Sequence, residues 1–319
     1  MWSYDDSRAA IADALRLSRA MTFKSAVADL PLGGGKGVIM LRAGEAALHP
    51  ERRRAALLDF ADTVEQLDGR YITAEDVGTS DADMTVIAEG TSRVTGLADG
   101  SGDPSGWTAL GVEAAIRVAC ERTWGTDSLE DRSISVIGLG RVGAKLAELL
   151  AQAGASLVVA DVDEAKRAVA DRLGARWADP HEALTAAVDV VSPCALGGVL
   201  DHESVPALRC RVVAGAANNQ LAAEPVAELL TGREILWAPD FVANAGGIIN
   251  ISVELEPAGY DRERAEARVR AVADTMRTIF IAAEAEGTSP LNAALALAQR
   301  RLAEAAAPLP SASAGERPA

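Results

Sequence analysis

Gly138-Leu139-Gly140-Arg141-Val142-Gly143 stands between an apolar strand, Ile134-Ser135-Val136-Ile137, and a segment carrying Leu146, Leu149 and Leu150. No other stretch constrains the fold as strongly. Strand, glycine turn and helix in this order form the opening unit of a doubly wound α/β sheet. The first glycine permits the tight turn, the second lets backbone approach a pyrophosphate, and the third lets the helix pack on the strand. Phosphates would meet the free N–H groups of the helix start, so Gly138, Gly140, Arg141, Val142 and Gly143 are candidate cofactor residues. Glycines that merely make a turn would show the same hexad. Asp161, at the end of the next strand, separates the two readings. A carboxylate there accepts bonds from the adenine-ribose hydroxyls and repels a 2′-phosphate, and the first basic residue beyond it is Lys166, so NAD is expected rather than NADP. Asp163 reads more simply as a helix N-cap than as a cofactor contact.

Strands are expected at Ser133–Ile137, Leu157–Ala160, Val188–Val191, Val212–Ala214 and Ile235–Ala238, alternating with alanine-rich helices. That rhythm predicts a parallel sheet wound on both faces. Upstream, 5–20 reads as an amphipathic helix with Ile11 and Leu15 on one face. The apolar runs Ala26–Leu30 and Val38–Leu41 read as short strands around Gly33-Gly34-Gly35-Lys36-Gly37. Pro50 opens a helix to about Asp68, Tyr71–Ala74 reads as a strand, and Thr79 or Ser80 caps a helix containing Met84 and Ile87. The Gly-, Ser- and Asp-rich stretch from Gly96 to Gly106 has the character of a hinge. The chain divides into 1–105, a dinucleotide-binding unit 106–245, a helical segment 246–305 that closes the cleft and packs back on both, and a disordered tail 306–319.

Of 319 residues, 49% are apolar and 24% charged, the balance of a globular protein. No apolar run approaches membrane-spanning length, and MWSYDDSRAA lacks the pattern of a secretion signal, so a cytoplasmic location is expected. A net charge of −15 disfavours nucleic acid as a partner. The three cysteines and three histidines show neither disulfide nor zinc spacing, so no metal is expected.

Lys36 follows three glycines, which let substrate or backbone come close. This is no nucleotide P-loop, because Leu30 stands where its first glycine should be. Lys24 lies twelve residues earlier. Two lysines brought together depress each other's pKa, and burial adds to the effect, so one could act as a base while the other holds an anion. A solvated surface lysine is the alternative for each. Asp76 ends YITAED, and Glu75 beside it must face the other way if the strand continues. For Asp76 alone, spacing favours a turn or helix-cap role.

MTFKSAVADLPLGGGKGVI, YITAEDVGTSDADM, GLGRVG, GAANNQL and APDFVANAGGIIN occur in this order, within a likeness that runs from about residue 2 to about 305. Together they resemble the amino-acid dehydrogenases acting on glutamate, leucine, phenylalanine and valine, and most of all the leucine, valine and phenylalanine branch. The resemblance implies a substrate and dimerisation role for 1–105. It makes Lys24 the ligand of the substrate α-carboxylate, Lys36 the catalytic lysine and Asp76 the proton shuttle. Gly34 joins the substrate positions, Thr108 and Asn244 lie near the carboxamide and substrate, Asn218 near the nicotinamide ribose, and Cys194-Ala195 near the adenosine. The implied reaction is oxidative deamination of an L-amino acid by a homo-oligomeric enzyme. Ile248 and Ile251 lie on the helix face that a substrate side chain would meet. In glutamate-specific members the position of Ile251 is a serine, and an isoleucine leaves a side-chain carboxylate unpaired. Ile248 is larger than the alanine of some phenylalanine-specific members, so leucine, valine or isoleucine is expected over phenylalanine. Both isoleucines also suit a plain core. Met1-Trp2 resembles the end of a GGxRMW-type segment that family members reach only after a longer N-terminal stretch. Either the start lies upstream or part of the first sheet is missing, which would expose a strand edge and could leave a non-catalytic NAD-binding protein.

Overall fold

The computed structural model describes residues 1–45, 48–97 and 100–306. Apart from Ala306, the expected tail lies outside the described residues. The chain opens with β1 (Trp2–Ser3), α1 (Ser7–Val27) and β2 (Met40–Leu41), and β1 pairs parallel with β2. Asp6 caps α1 by accepting from the Ala9 amide at 2.8 Å. Ala26–Leu30 is not a strand. Nothing in Met21–Val27 breaks a helix, so α1 continues to Val27 and stops where Asp29 takes a positive φ of 56° ahead of Pro31. Lys24 therefore sits in the last helical turn. The glycine segment doubles back along α1, with the Ser25 hydroxyl donating to Gly33 O at 3.1 Å and the Ser18 hydroxyl to Gly34 O. Ile11 and Leu15, expected to face a core, are 60% and 66% exposed, and α1 instead buries Ala10, Ala26 and Val27.

Then come α2 (Pro50–Gln66) and α3 (Asp81–Ala88), which enclose a small core of Leu57, Ala61, Met84, Ile87 and Val94. Ser80 is the cap, in a reciprocal capping box with Asp83. The strand expected at Tyr71–Ala74 shrinks to one bridge, Thr73 to Val94, held by Thr73 N–Arg93 O and Thr95 N–Thr73 O bonds of 2.9 Å. Beyond Thr73 the chain turns away, and Glu75 and Asp76 point to different partners.

The remainder runs α4 (Ser105–Trp124), β3 (Ser133–Ile137), α5 (Arg141–Gln152), β4 (Ser156–Ala160), a 3-10 turn (Glu164–Lys166), α6 (Arg167–Leu173), β5 (Arg176–Trp177), α7 (Pro180–Leu184) and β6 (Val190–Pro193). It continues with α8 (Ser204–Ala207), β7 (Val212–Val213), α9 (Val226–Gly232), β8 (Leu236–Trp237), α10 (Asp240–Ala243), α11 (Gly246–Glu254), α12 (Arg262–Arg270), α13 (Val272–Glu286) and α14 (Pro290–Ala306). The six strands lie in the order β5-β4-β3-β6-β7-β8, all parallel. The chain moves outward from β3 to one edge and then returns to build the other side. This reversal leaves a crevice at the carboxyl ends of β3 and β6, where such sheets bind ligands. α4 is buried along most of its length beneath the sheet and the C-terminal helices, and α14 packs on α1 and α13. Arg301 ties α14 to α1 by donating to Val27 O at 2.6 Å.

In the expected hinge, residues 98 and 99 lie outside the described residues, and the residues on either side of them are tied to α11. Glu254 Oε2 accepts from Gly96 N at 3.2 Å, from Ser101 N at 3.0 Å and from the Ser101 hydroxyl. Asn250 donates to Ser101 O at 3.0 Å and accepts from the Tyr260 hydroxyl at 2.8 Å. Among the described residues no helix is long and apolar enough to cross a membrane.

Candidate active site

Lys36 and Asp76 form an ion pair, with the lysine side chain 19% exposed and the carboxylate 50% exposed. Burial pulls the Lys36 pKa down, and Asp13 opposes this. Asp76 also makes the local turn expected of it. Its Oδ1 accepts from Val77 N at 2.7 Å and its carbonyl accepts from the Thr79 hydroxyl, also at 2.7 Å. The turn thus fixes the backbone while Oδ2 is held by Lys36.

A second cluster joins the two halves of the chain. Lys24 Nζ lies 3.4 Å from Asn218 Oδ1, which also accepts from Asn244 Nδ2 at 2.8 Å. Asn244 donates further to Ala216 O at 3.1 Å, while its buried Oδ1 has no partner within the protein. Burial lowers the Lys24 pKa from the ordinary 10.5 to about 8; Asp240 opposes the shift and Lys36 adds to it. The mutual depression of the two lysines is thus present at Lys24, but burial outweighs it.

Asp240 was not singled out in the sequence, although it stands inside the APDFVANAGG block. It is buried, accepts from Gln220 N at 2.7 Å, and burial pushes its carboxyl up. Gln220 in turn donates to Gly215 O and Ala217 O and accepts from the Trp237 indole, so the loop bearing Asn218 is fixed from below. Thr108 donates to Pro104 O at 3.1 Å and packs against Gly247 at the start of α11. Gly34 lies so close to α1 that a Cβ would collide with Thr22. Ile248 is partly buried against the apolar cluster that contains Trp107, Leu110 and Val253, whereas Ile251 is partly exposed and outside the apolar clusters. At i and i+3 the two share one face of α11.

The glycine turn behaves as its spacing predicts. Gly138 has φ 99°, and Gly143 is so close to Gly138 O that any side chain would collide. Open space lies beside Gly140. Cys194 and Ala195, at the end of β6, pack against Gly143 and Gly138. Asp161 accepts from Leu139 N at 2.6 Å and from Asp163 N at 2.9 Å, while Asp163 caps the 3-10 turn. Beside Asp161 opens a crevice of about 500 Å³ whose walls carry Glu164, Arg167, Trp177, Asp179 and Glu182. The start of α5, the room at Gly140 and the carboxylate just past β4 fit a nicotinamide dinucleotide. The Arg141 guanidinium is taken by Glu75 at 2.6 Å and Asp103 at 3.0 Å. A second cavity, about 460 Å³ among Leu30, Val242, Ile249 and Val272, is lined by none of the expected site residues. Among the described residues no group of three potential metal ligands occurs.

Residues 3–93 match the dimerisation domain of the Glu/Leu/Phe/Val dehydrogenases, and residues 158–308 match the glutamate/leucine/phenylalanine/valine dehydrogenase family. The chain is 41% identical to a leucine dehydrogenase of Bacillus cereus over 95% of its length and 82% of the relative's. It is 42% identical to a valine dehydrogenase of Streptomyces virginiae, over 95% and 85% respectively. The crystal structure of L-tryptophan dehydrogenase from Nostoc punctiforme superposes with a TM-score of 0.81 at 38% identity, covering 94% of this chain and 86% of that one. With its lysine–aspartate pair, its Lys24–Asn218–Asn244 cluster and its dinucleotide turn on one framework, the chain belongs to the Glu/Leu/Phe/Val family of amino-acid dehydrogenases.

Proposed function

We propose that the protein oxidatively deaminates a branched-chain aliphatic L-amino acid, leucine, valine or isoleucine, with NAD as oxidant, releasing the 2-oxo acid, ammonia and NADH. The observation that carries this reading is the placement of the Lys36–Asp76 pair and the Lys24–Asn218–Asn244 cluster in a chain whose α11 presents Ile248 and Ile251. NAD when bound accepts the hydride from the substrate α-carbon. Lys24 holds the α-carboxylate, and its ammonium is fixed by Asn218 Oδ1, which Asn244 orients. Asp76 takes a proton from the substrate amino group. Lys36, whose hold on its proton is weakened by burial, activates the water that attacks the imino carbon and then steadies the carbonyl oxygen of the product. Asp76 returns a proton to the departing ammonia. Closure of the cleft between the 1–105 unit and the dinucleotide unit excludes water while hydride moves. NAD is favoured over NADP because Asp161, Glu164, Asp179 and Glu182 face one arginine around the crevice. A homo-oligomer is the proposed working state.

The test is NADH formation at alkaline pH with leucine, valine, isoleucine, phenylalanine, tryptophan and glutamate in parallel. Leucine or valine leading the panel supports the aliphatic reading, and glutamate leading it refutes the argument from Ile251. The likeness to a tryptophan dehydrogenase favours an aromatic substrate as the second reading. In that case tryptophan or phenylalanine leads the same panel.

A further inference from the structure

Arg141 occupies the first helical position of α5, directly after Gly140, where the phosphates of a dinucleotide would lie. An arginine there would be expected to turn toward phosphate. Instead one side of its guanidinium donates to Glu75 Oε1 at 2.6 Å and the other lies 3.0 Å from Asp103 Oδ1. One turn further along α5, Lys145 donates to Asp103 Oδ2 at 2.6 Å. Two carboxylates and two cations thus bridge the dinucleotide unit to two other segments, the loop carrying Asp76 and the loop leading into α4. Glu75 is the unusual member. Its side chain is only 10% exposed, the Asp81 carboxyl lies alongside, and its Oε2 is buried with no donor among the described residues. A buried carboxylate with half its acceptors unfilled is costly, and Arg141 is the cation that compensates it. Burial and the neighbouring Asp81 raise the Glu75 pKa, and Arg141 opposes them. Arg141 itself is 55% exposed, so its guanidinium can swing away while Glu75 cannot.

We propose that Glu75 is a positioning residue that acts through Arg141, tying the Asp76 loop to the first turn of α5 and competing with the dinucleotide phosphates for one guanidinium. Glu75 and Asp76 are adjacent in the chain, so a pull on one is felt by the other. The inference rests on reading the glycine turn as a dinucleotide site. It separates two effects that a merely structural ion pair would move together. Loss of the Glu75 charge frees Arg141 for phosphate and tightens dinucleotide binding, while releasing Asp76 and slowing turnover.

The experiment measures NADH dissociation constants by nicotinamide fluorescence on substrate-free protein, and kcat with saturating amino acid, for wild type, Glu75→Gln, Arg141→Met and the double variant. Glu75→Gln is expected to bind NADH about 3- to 10-fold more tightly, while kcat falls about 10-fold or more. Arg141→Met is expected to bind NADH about 10-fold more weakly, with a similar loss in kcat. Adding Glu75→Gln to Arg141→Met should change kcat by no more than about 2-fold, because the two act as one unit. Weaker or unchanged NADH binding by Glu75→Gln, or independent kcat losses in the double variant, overturns the proposal. Thermal melting of each variant identifies misfolding, and Arg141→Met, a change at an exposed side chain, keeps the test decisive if Glu75→Gln is unstable. Failure of wild type to bind NADH would overturn the dinucleotide reading itself, a result distinct from equal binding by wild type and Glu75→Gln.

Discussion

Replacing Glu254 by alanine should loosen the joint between the two halves of the chain. One carboxylate oxygen, Oε2, accepts from the Gly96 and Ser101 amides and from the Ser101 hydroxyl. Gly96 and Ser101 are both buried, so each amide depends on this acceptor. Each stranded buried donor costs about 1–3 kcal/mol, and the hydroxyl can rotate toward another acceptor, which puts the loss near 2–4 kcal/mol once water enters the vacated space. Glutamine keeps the volume and one acceptor oxygen but loses the charge assistance, so its cost should be about 1–2 kcal/mol. At roughly 1.5–2 °C per kcal/mol for a chain of this size, alanine should lower the melting temperature by about 3–8 °C and glutamine by about half as much. Calorimetric melts of the three proteins test this, with steady-state kinetics alongside. Because Ser101 leads into α4 and Thr108, kcat should fall in the same order. An alanine variant that melts within about 1 °C of wild type would refute the reasoning. So would glutamine as damaging as alanine, since packing and not the acceptor would then be the cause.

Four further outcomes follow from the site. Lys24, with its pKa pulled by burial to about 8, should lose charge across mildly alkaline pH. Affinity for a 2-oxo acid, whose carboxylate does not titrate there, should fall as pH rises through 8, whereas Lys24→Arg should flatten the profile if it binds at all. The same shift has a stability signature: between about 8 and the ordinary 10.5 the unfolded chain binds more protons at this position than the folded one. The Lys24 contribution to stability therefore rises with pH over that window, a rise that Lys24→Met should abolish in denaturant titrations. Asp161→Asn keeps an acceptor for the Leu139 amide but removes the charge, and should shift the NAD-to-NADP ratio of kcat/KM by about 10-fold or more toward NADP. Asp76→Asn should cut kcat by about 100-fold or more while leaving NADH binding within about 2-fold, as measured by fluorescence.

The half of the chain beyond residue 130 was readable because its signals are local. A strand, three spaced glycines and a terminal carboxylate lie within thirty residues, and each constrains its immediate neighbours. Asp163 and Ser80 were readable as caps for the same reason. The first hundred residues were less so. Ala26–Leu30 has the composition of a strand, yet a helix already under way continues through any residue that does not break it, and only Asp29 and Pro31 do. Tyr71–Ala74 is β-prone, but a strand lasts only as long as its partner, and the backbone offers two hydrogen bonds before it turns away. The exposure of Ile11 and Leu15 could not be seen in periodicity, which shows that a face is apolar and not what covers it.

Lys24, Lys36 and Asp76 could be named from motif order alone, but sequence spacing does not set distance in space. The contact between Lys24 and Asn218 spans 194 positions, and that between Glu254 and Gly96 spans 158. Asp240 and Glu254 escaped notice, and Glu75 was read only as the neighbour facing away from Asp76, because each reads locally as an ordinary surface carboxylate and contacts with distant elements give each its role. Sequence by itself determined the doubly wound sheet, the glycine turn that opens its central helix and the family to which the chain belongs, because these depend on backbone chemistry and near neighbours. Tertiary structure alone decided which charges are buried, which lysine is the weaker base and which carboxylate holds Arg141, because desolvation and Coulomb energies depend on what the rest of the chain brings within a few ångströms.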